Sequence, residues 1–144
     1  MQVKDVMTRG VQCVRPTDSI ARAAERMSEL NVGALPVCGD NDKLVGMITD
    51  RDITTRATAQ ACDPCGTCVG DVMTANVVHV FEDQDVFEAT GLMEEHQIRR
   101  LVVLDRDKRL VGIVSLGDLA VKNADDALSG EALEQVSEPA QPRR

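Results

Sequence analysis

The chain is 144 residues long, enough for one ordinary domain or for two half-sized units sharing a core, and 43% of its residues are hydrophobic, as in globular proteins. Its formal charge of -8 and pI near 4.7 oppose long-range attraction to nucleic acid or an anionic membrane surface, and only Phe81 and Phe87 could offer an aromatic face for a base to stack on. No apolar run approaches the roughly 20 residues that span a bilayer, and the opening MQVKDVMT lacks the apolar core of a signal peptide, so the expectation is a cytoplasmic protein with no nucleic-acid and no membrane partner.

In chain order, the β-branched run VQCV at 11–14 predicts a first strand, and PTDS supplies helix-starting residues. Apolar positions Ile20, Ala23, Ala24, Met27 and Leu30 then follow the 3.6-residue period of an amphipathic helix. ALPVC, the polar turn GDND and LVGMIT predict a hairpin, after which a second helix starts near Asp50. Residues 59–69 read as a linker. The same order then returns: VVHV, EDQD, a helix on Val86, Ala89 and Met93, the strand LVVL, the turn DRDK, the strand LVGIVS, and a helix from Leu116. From Asp125 the tail has a weak helical pattern and two prolines, which predicts a frayed end.

Sliding the chain on itself by 66 residues aligns 5–58 with 71–124 without a gap and gives 15 identities in 54 positions, among them DVMT, the LVG triplets and Asp52/Asp118. Chance alone would give about one in sixteen, so the chain is an internal duplication. The expected fold is therefore mixed α/β (α+β), with two tandem β-α-β-β-α units over 1–58 and 70–124, the linker at 59–69 and the tail at 125–144. A right-handed crossover makes strands one and two parallel, and the tight turn makes strands two and three antiparallel. A unit of this size buries little surface alone, so the expectation is two sheets packed face to face around one shared core.

GMITDRD at 46–52 and GIVSLGD at 112–118 carry the repeat's most specific pattern: a glycine, a hydroxyl three residues on, and a carboxylate three further. The glycine admits a close backbone or ligand. Thr49 or Ser115 can donate to a phosphate oxygen, and Asp52 or Asp118 can accept two bonds from a ribose diol at a helix start whose N–H groups favour anions. The same spacing is also that of a helix capping box, a purely structural use.

These signatures, the ALPV run and the DVMT opening resemble the cystathionine β-synthase (CBS) domain, over about five-sixths of the chain. Two tandem copies are similar to a Bateman module. GALPVCGDND and MEEHQIRR are further similar to segments of small stand-alone two-domain members of the hypoxic response protein type. The resemblance implies a disc-shaped pair that often dimerises and binds adenosine compounds such as AMP or ATP in clefts between the copies. It also implies that each signature is completed by its partner copy: Asp52 by Arg99 and Arg100, Asp118 by Gly33 and Ala34. Arg99 and Arg100 also read as solvated helix-end charges.

Cys62, Cys65 and Cys68 form C-x-x-C-x-x-C, a spacing that suits three ligands to zinc or an iron–sulfur cluster and equally suits plain loop thiols. A fourth zinc ligand would have to come from His79, His96, another cysteine or a second chain. Cys13 and Cys38 fall near the ends of the predicted first and second strands, which as parallel neighbours would lie about 5 Å apart. They read either as a redox pair or as two small buried hydrophobes. Neither histidine pairs with a nucleophile in a catalytic order.

The function expected is a non-enzymatic regulator that needs no cofactor, binds an adenine nucleotide, forms a homodimer and signals to an effector protein. The alternative is a ligand-independent dimeric interaction protein that responds to metal or oxidant through its cysteines.

Overall fold

The computed structural model describes residues 1–122, and the expectation for the tail at 125–144 lies outside them. The described chain divides into two compact units, one of Gln12–Val77 and one of Met1–Val11 with the described part of Val78–Arg144. These units do not coincide with the sequence repeats. The stretch that opens each copy belongs to the unit holding the body of the other copy.

In the unit of Gln12–Val77, helix α1 (Ile20–Leu30) starts at Ser19, whose hydroxyl accepts from Arg22 N, and ends at Asn31 in the left-handed region. Ile20, Ala23 and Met27 face the core as the period predicts, whereas Ala24 and Leu30 are exposed. Strands β1 (Ala34–Cys38) and β2 (Leu44–Thr49) form an antiparallel pair. A single α-turn, α2 (Asp50–Asp52), then runs into a π-helix at Ile53–Thr58. Thr54 and Thr55 donate their hydroxyls to the carbonyls of Asp50 and Arg51, four residues back, and the backbone ladder shifts by one, with Ala59 N bonding Thr54 O.

The stretch expected to be a linker is tied into this unit. Ile20 and Ala21 N–H, orphan donors at the start of α1, bond Thr67 O and Pro64 O, and Val69 N bonds Asp18 O. Short helix α3 (Val69–Val72) adds the fully buried Val69 and the buried Val72 to a core made with Val14, Ile20, Leu35, Val37 and Ile48.

The other unit repeats this plan with strand β3 (His79–Phe81), helix α4 (Val86–His96), strands β4 (Arg100–Leu104) and β5 (Leu110–Ser115), and helix α5 (Leu116–Lys122). Its sheet has three strands in the order β3-β4-β5, parallel then antiparallel as predicted. Residues 1–8 do here what 67–74 do in the first unit: Val86 N bonds Met1 O, Val3 N bonds Gln84 O, and Val3, Val6 and Met7 enter the core. The buried apolar side chains of each unit form a cluster of their own. The borrowed lead segments supply the apolar surface that a bare β-α-β-β-α copy lacks.

The strand predicted at 11–14 is reduced to one bridge, Val14 with Val37, and two prolines account for it. Val14 N bonds Pro36 O and Cys38 N bonds Val14 O, but the next donor back along that edge is residue 36, and proline has no N–H. In the other direction, Glu82 N bonds Leu104 O to extend β3, and the residue matching Glu82 is Pro16. The guanidinium of Arg15 reaches Cys38 O and Gly39 O instead.

Candidate functional site

Both signatures sit where a strand turns into a helix. Thr49 is the last residue of β2 and the N-cap of α2; its Oγ1 accepts from Asp52 N at 3.0 Å while its own N–H donates to Asp52 Oδ2 at 3.1 Å. Ser115, at the end of β5, does the same with Asp118, at 3.0 Å in each direction. Both motifs are thus capping boxes, and the capping use does not exhaust them. A hydroxyl that accepts from a backbone N–H keeps its own proton to donate, and an ionised carboxylate has about four acceptor positions.

The first signature is held more tightly. Thr74 Oγ1 lies 3.3 Å from both carboxylate oxygens of Asp52, and Arg56 Nε is 3.8 Å from Oδ1. Arg56, carried by the π-helix, also donates to Met73 O at 3.1 Å and Val72 O at 3.4 Å. Asp52 is 8% exposed; Asp118 is half-buried. The sequence reading missed Thr74 and Arg56. The repeat of DVMT at a fixed offset from the signature was the available signal for Thr74.

The signature glycines answer to that same DVMT segment. Met47 and Thr74 exchange two backbone bonds, 2.9 and 2.8 Å, and Thr8 and Ile113 exchange their equivalents, 2.8 and 3.0 Å. A Cβ on Gly46 would stand 2.7 Å from Thr74 O and 2.8 Å from Met73 Sδ; on Gly112 it would meet Thr8 O and Met7 Sδ at the same distances. The close neighbour is backbone, one of the two partners the sequence allowed.

Inside each unit, the residues before the second strand of a copy lie beside that copy's own signature. Ala34 is opposite Thr49, and Asp50 N bonds Gly33 O; Arg100 is opposite Ser115, and Leu116 N bonds Arg99 O. Gly33 and Ala34 are half-buried and Arg99 and Arg100 are exposed. The second unit therefore places Arg100 next to a signature hydroxyl, whereas the first has Ala34 there.

Among the described residues no group of three or more His, Cys, Asp and Glu side chains could hold a metal ion. Cys62 packs against the first unit's core behind the π-helix, with its N–H on Ala57 O, while Cys65 and Cys68 are exposed. Asp63 Oδ1 accepts from Cys65 N, a local bond that turns the loop. Cys38 is wholly buried and Cys13 half-buried. Burial, then Cys13, push the Cys38 thiol up to about 12. Among the described residues no helix is long and apolar enough to cross a membrane.

The family model for the CBS domain matches residues 3–58 and again 69–123. The chain belongs to the CBS domain family. It is a tandem CBS pair, 41% identical over 117 residues to hypoxic response protein 1 of Mycobacterium tuberculosis, an alignment covering 81% of each chain. The crystal structure of hypoxic response protein I with two coordinated zinc ions superposes with a TM-score of 0.75 at 39% identity, covering 85% of this CBS pair and 98% of that chain. CBSX2 of Arabidopsis thaliana in complex with AMP gives a TM-score of 0.70 at 32% identity, over 83% and 93% of the two chains. The CBS domain pair of protein MJ0100 in complex with 5-methylthioadenosine and S-adenosyl-L-methionine gives 0.68 at 31% identity, over 84% and 94%.

Proposed function

We propose that this CBS pair is a non-enzymatic regulator that binds an adenosine compound, AMP or ATP in the first instance. Asp52 and Asp118 accept from ribose hydroxyls, and Thr49 and Ser115 donate to phosphate. Arg99 and Arg100 add charge-assisted bonds to phosphate, and Gly33 and Ala34 leave room and backbone groups for the base. The observation that carries this reading is the double occurrence of one arrangement, with hydroxyl and carboxylate locked in the same mutual geometry at both strand-to-helix turns. Relatives bound to AMP and to S-adenosyl-L-methionine support the ligand class. The protein acts in the cytoplasm as a homodimer, and ligand occupancy is passed to an effector protein.

Calorimetric titration with AMP and with adenosine tests the reading. Replacing Asp52 by alanine removes a ribose acceptor and is expected to weaken binding by about 1.5–3 kcal/mol, on the order of 10- to 150-fold. The double change Arg99→Ala/Arg100→Ala is expected to weaken AMP far more than adenosine. Absence of any heat or thermal shift with adenosine compounds, in protein stripped of bound ligand, would instead support a ligand-independent interaction protein.

A further inference from the structure

Asp52 already carries, inside its own unit, a donor of the kind a ribose would bring. Thr74 Oγ1 lies 3.3 Å from both carboxylate oxygens, one hydroxyl shared between two acceptors at the long end of hydrogen-bond range. Oδ2 also accepts from Thr49 N at 3.1 Å, and Arg56 Nε stands 3.8 Å from Oδ1, its guanidinium anchored on the carbonyls of Met73 and Val72. The backbone of Thr74 is fixed by its two bonds with Met47, yet the residue is exposed, so its hydroxyl can turn to solvent by rotation about a single side-chain bond. Asp118 differs. It is half-buried, it bonds Ser115 in both directions, and among the described residues no second hydroxyl reaches it. Thr8 is nevertheless the repeat's match to Thr74, and it exchanges the same backbone bonds with Ile113.

We propose that Thr74 is a specificity-determining residue: its hydroxyl competes with a ribose hydroxyl for Asp52, so that Ser115 and Asp118 take an adenosine compound before Thr49 and Asp52 do. This rests on the reading that both carboxylates accept from ribose. A diol arriving at Asp52 displaces Thr74 Oγ1 and gives up one protein bond for its own two, whereas at Asp118 it displaces solvent alone. The net worth of a hydrogen bond depends on what it replaces, so the same diol gains less at Asp52. Thr49 N and Arg56 hold the carboxylate from other directions and keep it aimed when Thr74 turns away. The first signature is therefore delayed rather than closed. Two sites of one geometry fill at different ligand concentrations.

The test is titration of the full chain, stripped of bound ligand, with adenosine, which brings the diol and no phosphate. In the wild type, followed by amide NMR, Ser115 and Asp118 are expected to shift at lower adenosine concentrations than Thr49 and Asp52. Both pairs shifting together, or the Thr49 pair first, would overturn the order. Asp118→Ala isolates the first signature for calorimetry. Adding Thr74→Val, which keeps the side chain's shape and loses its hydroxyl, is expected to tighten adenosine there about fivefold, and Thr74→Ser to leave it within about twofold. Thr8→Val on an Asp52→Ala background should leave the second signature within about twofold. An affinity unchanged or weakened by Thr74→Val would overturn the competition and leave the ribose reading standing. No adenosine binding by the wild type would overturn both. The order read on the wild-type chain decides the matter even if a variant fails to fold.

Discussion

One copy of the repeat builds a three-stranded sheet and the other a two-stranded one, although both read as strand, helix, strand, strand, helix. The difference comes from two donors. Pro16 and Pro36 stand where Glu82 and Val102 offer N–H groups, and removing them reduces a parallel ladder to one bridge. The second helices diverge for a comparable reason. Adjacent Thr54 and Thr55 cap carbonyls one turn back and shift the ladder into a π-helix, whereas Ala120 and Val121 follow the second signature and α5 is a regular α-helix. Duplication preserves the plan, and a few backbone hydrogen bonds decide how fully each copy realises it.

The largest expected effect tests what the copies share. Gly46→Ala and Gly112→Ala each force a Cβ against a DVMT carbonyl, and each should destabilise the protein by about 3 kcal/mol in urea unfolding. Tolerance of one change and not the other would break the equivalence of the two lead segments.

The next contrast is between the carboxylates. Asp52→Ala removes a capping box and strands Thr74 and Arg56, with an expected cost of about 2 kcal/mol; Asp118→Ala should cost about 1 kcal/mol. Equal losses on chemical denaturation would mean that Thr74 and Arg56 add nothing to Asp52.

The Cys38 thiol gives the first unit an alkaline weakness with no counterpart at Leu104. Its pKa is raised from 9.0 in the unfolded chain to about 12 in the fold, so between those values the folded state keeps a proton that the unfolded state has lost. Stability should therefore fall as pH rises from about 9 towards 12, with the full contribution present below 9. The reduced wild type should show a falling urea midpoint over that window, and Cys38→Val should flatten it.

Restoring a donor should have the smallest effect. Pro36→Val supplies the missing N–H, and hydrogen exchange at residue 36 should show it protected, with a stability change within about 1 kcal/mol. A freely exchanging amide there would show that proline is not what halts the ladder.

Much of this architecture was legible in the sequence. The apolar period placed Ile20, Ala23 and Met27, and likewise Val86, Ala89 and Met93, on core-facing helix sides, and the polar turns placed both hairpins. The capping spacing placed both carboxylates at helix starts. The missing first strand was less visible because β-branched residues mark a strand even where its neighbour cannot donate; Pro36, inside the partner strand, held that information. A sequence repeat fixes which residues are equivalent and not which copy they pack with, and Val3 and Val69 show that the equivalent lead segments pack with the other copy's body. Thr74 comes to Asp52 from 22 residues downstream, where only the repeat of DVMT at a fixed offset points to it, and Arg56 comes from four residues on, the spacing of a helical ion pair.

That exchange of lead segments sets an order of assembly on the ribosome. Once residue 77 has emerged, everything in the unit of Gln12–Val77 is available, so it can close first. The residues made before it cannot. Val3, Val6 and Met7 belong to a core whose other members, from Val80 to Leu119, are still to be translated. At roughly 5–20 residues per second they wait several seconds, and residues made before the unit of Gln12–Val77 find their place after it.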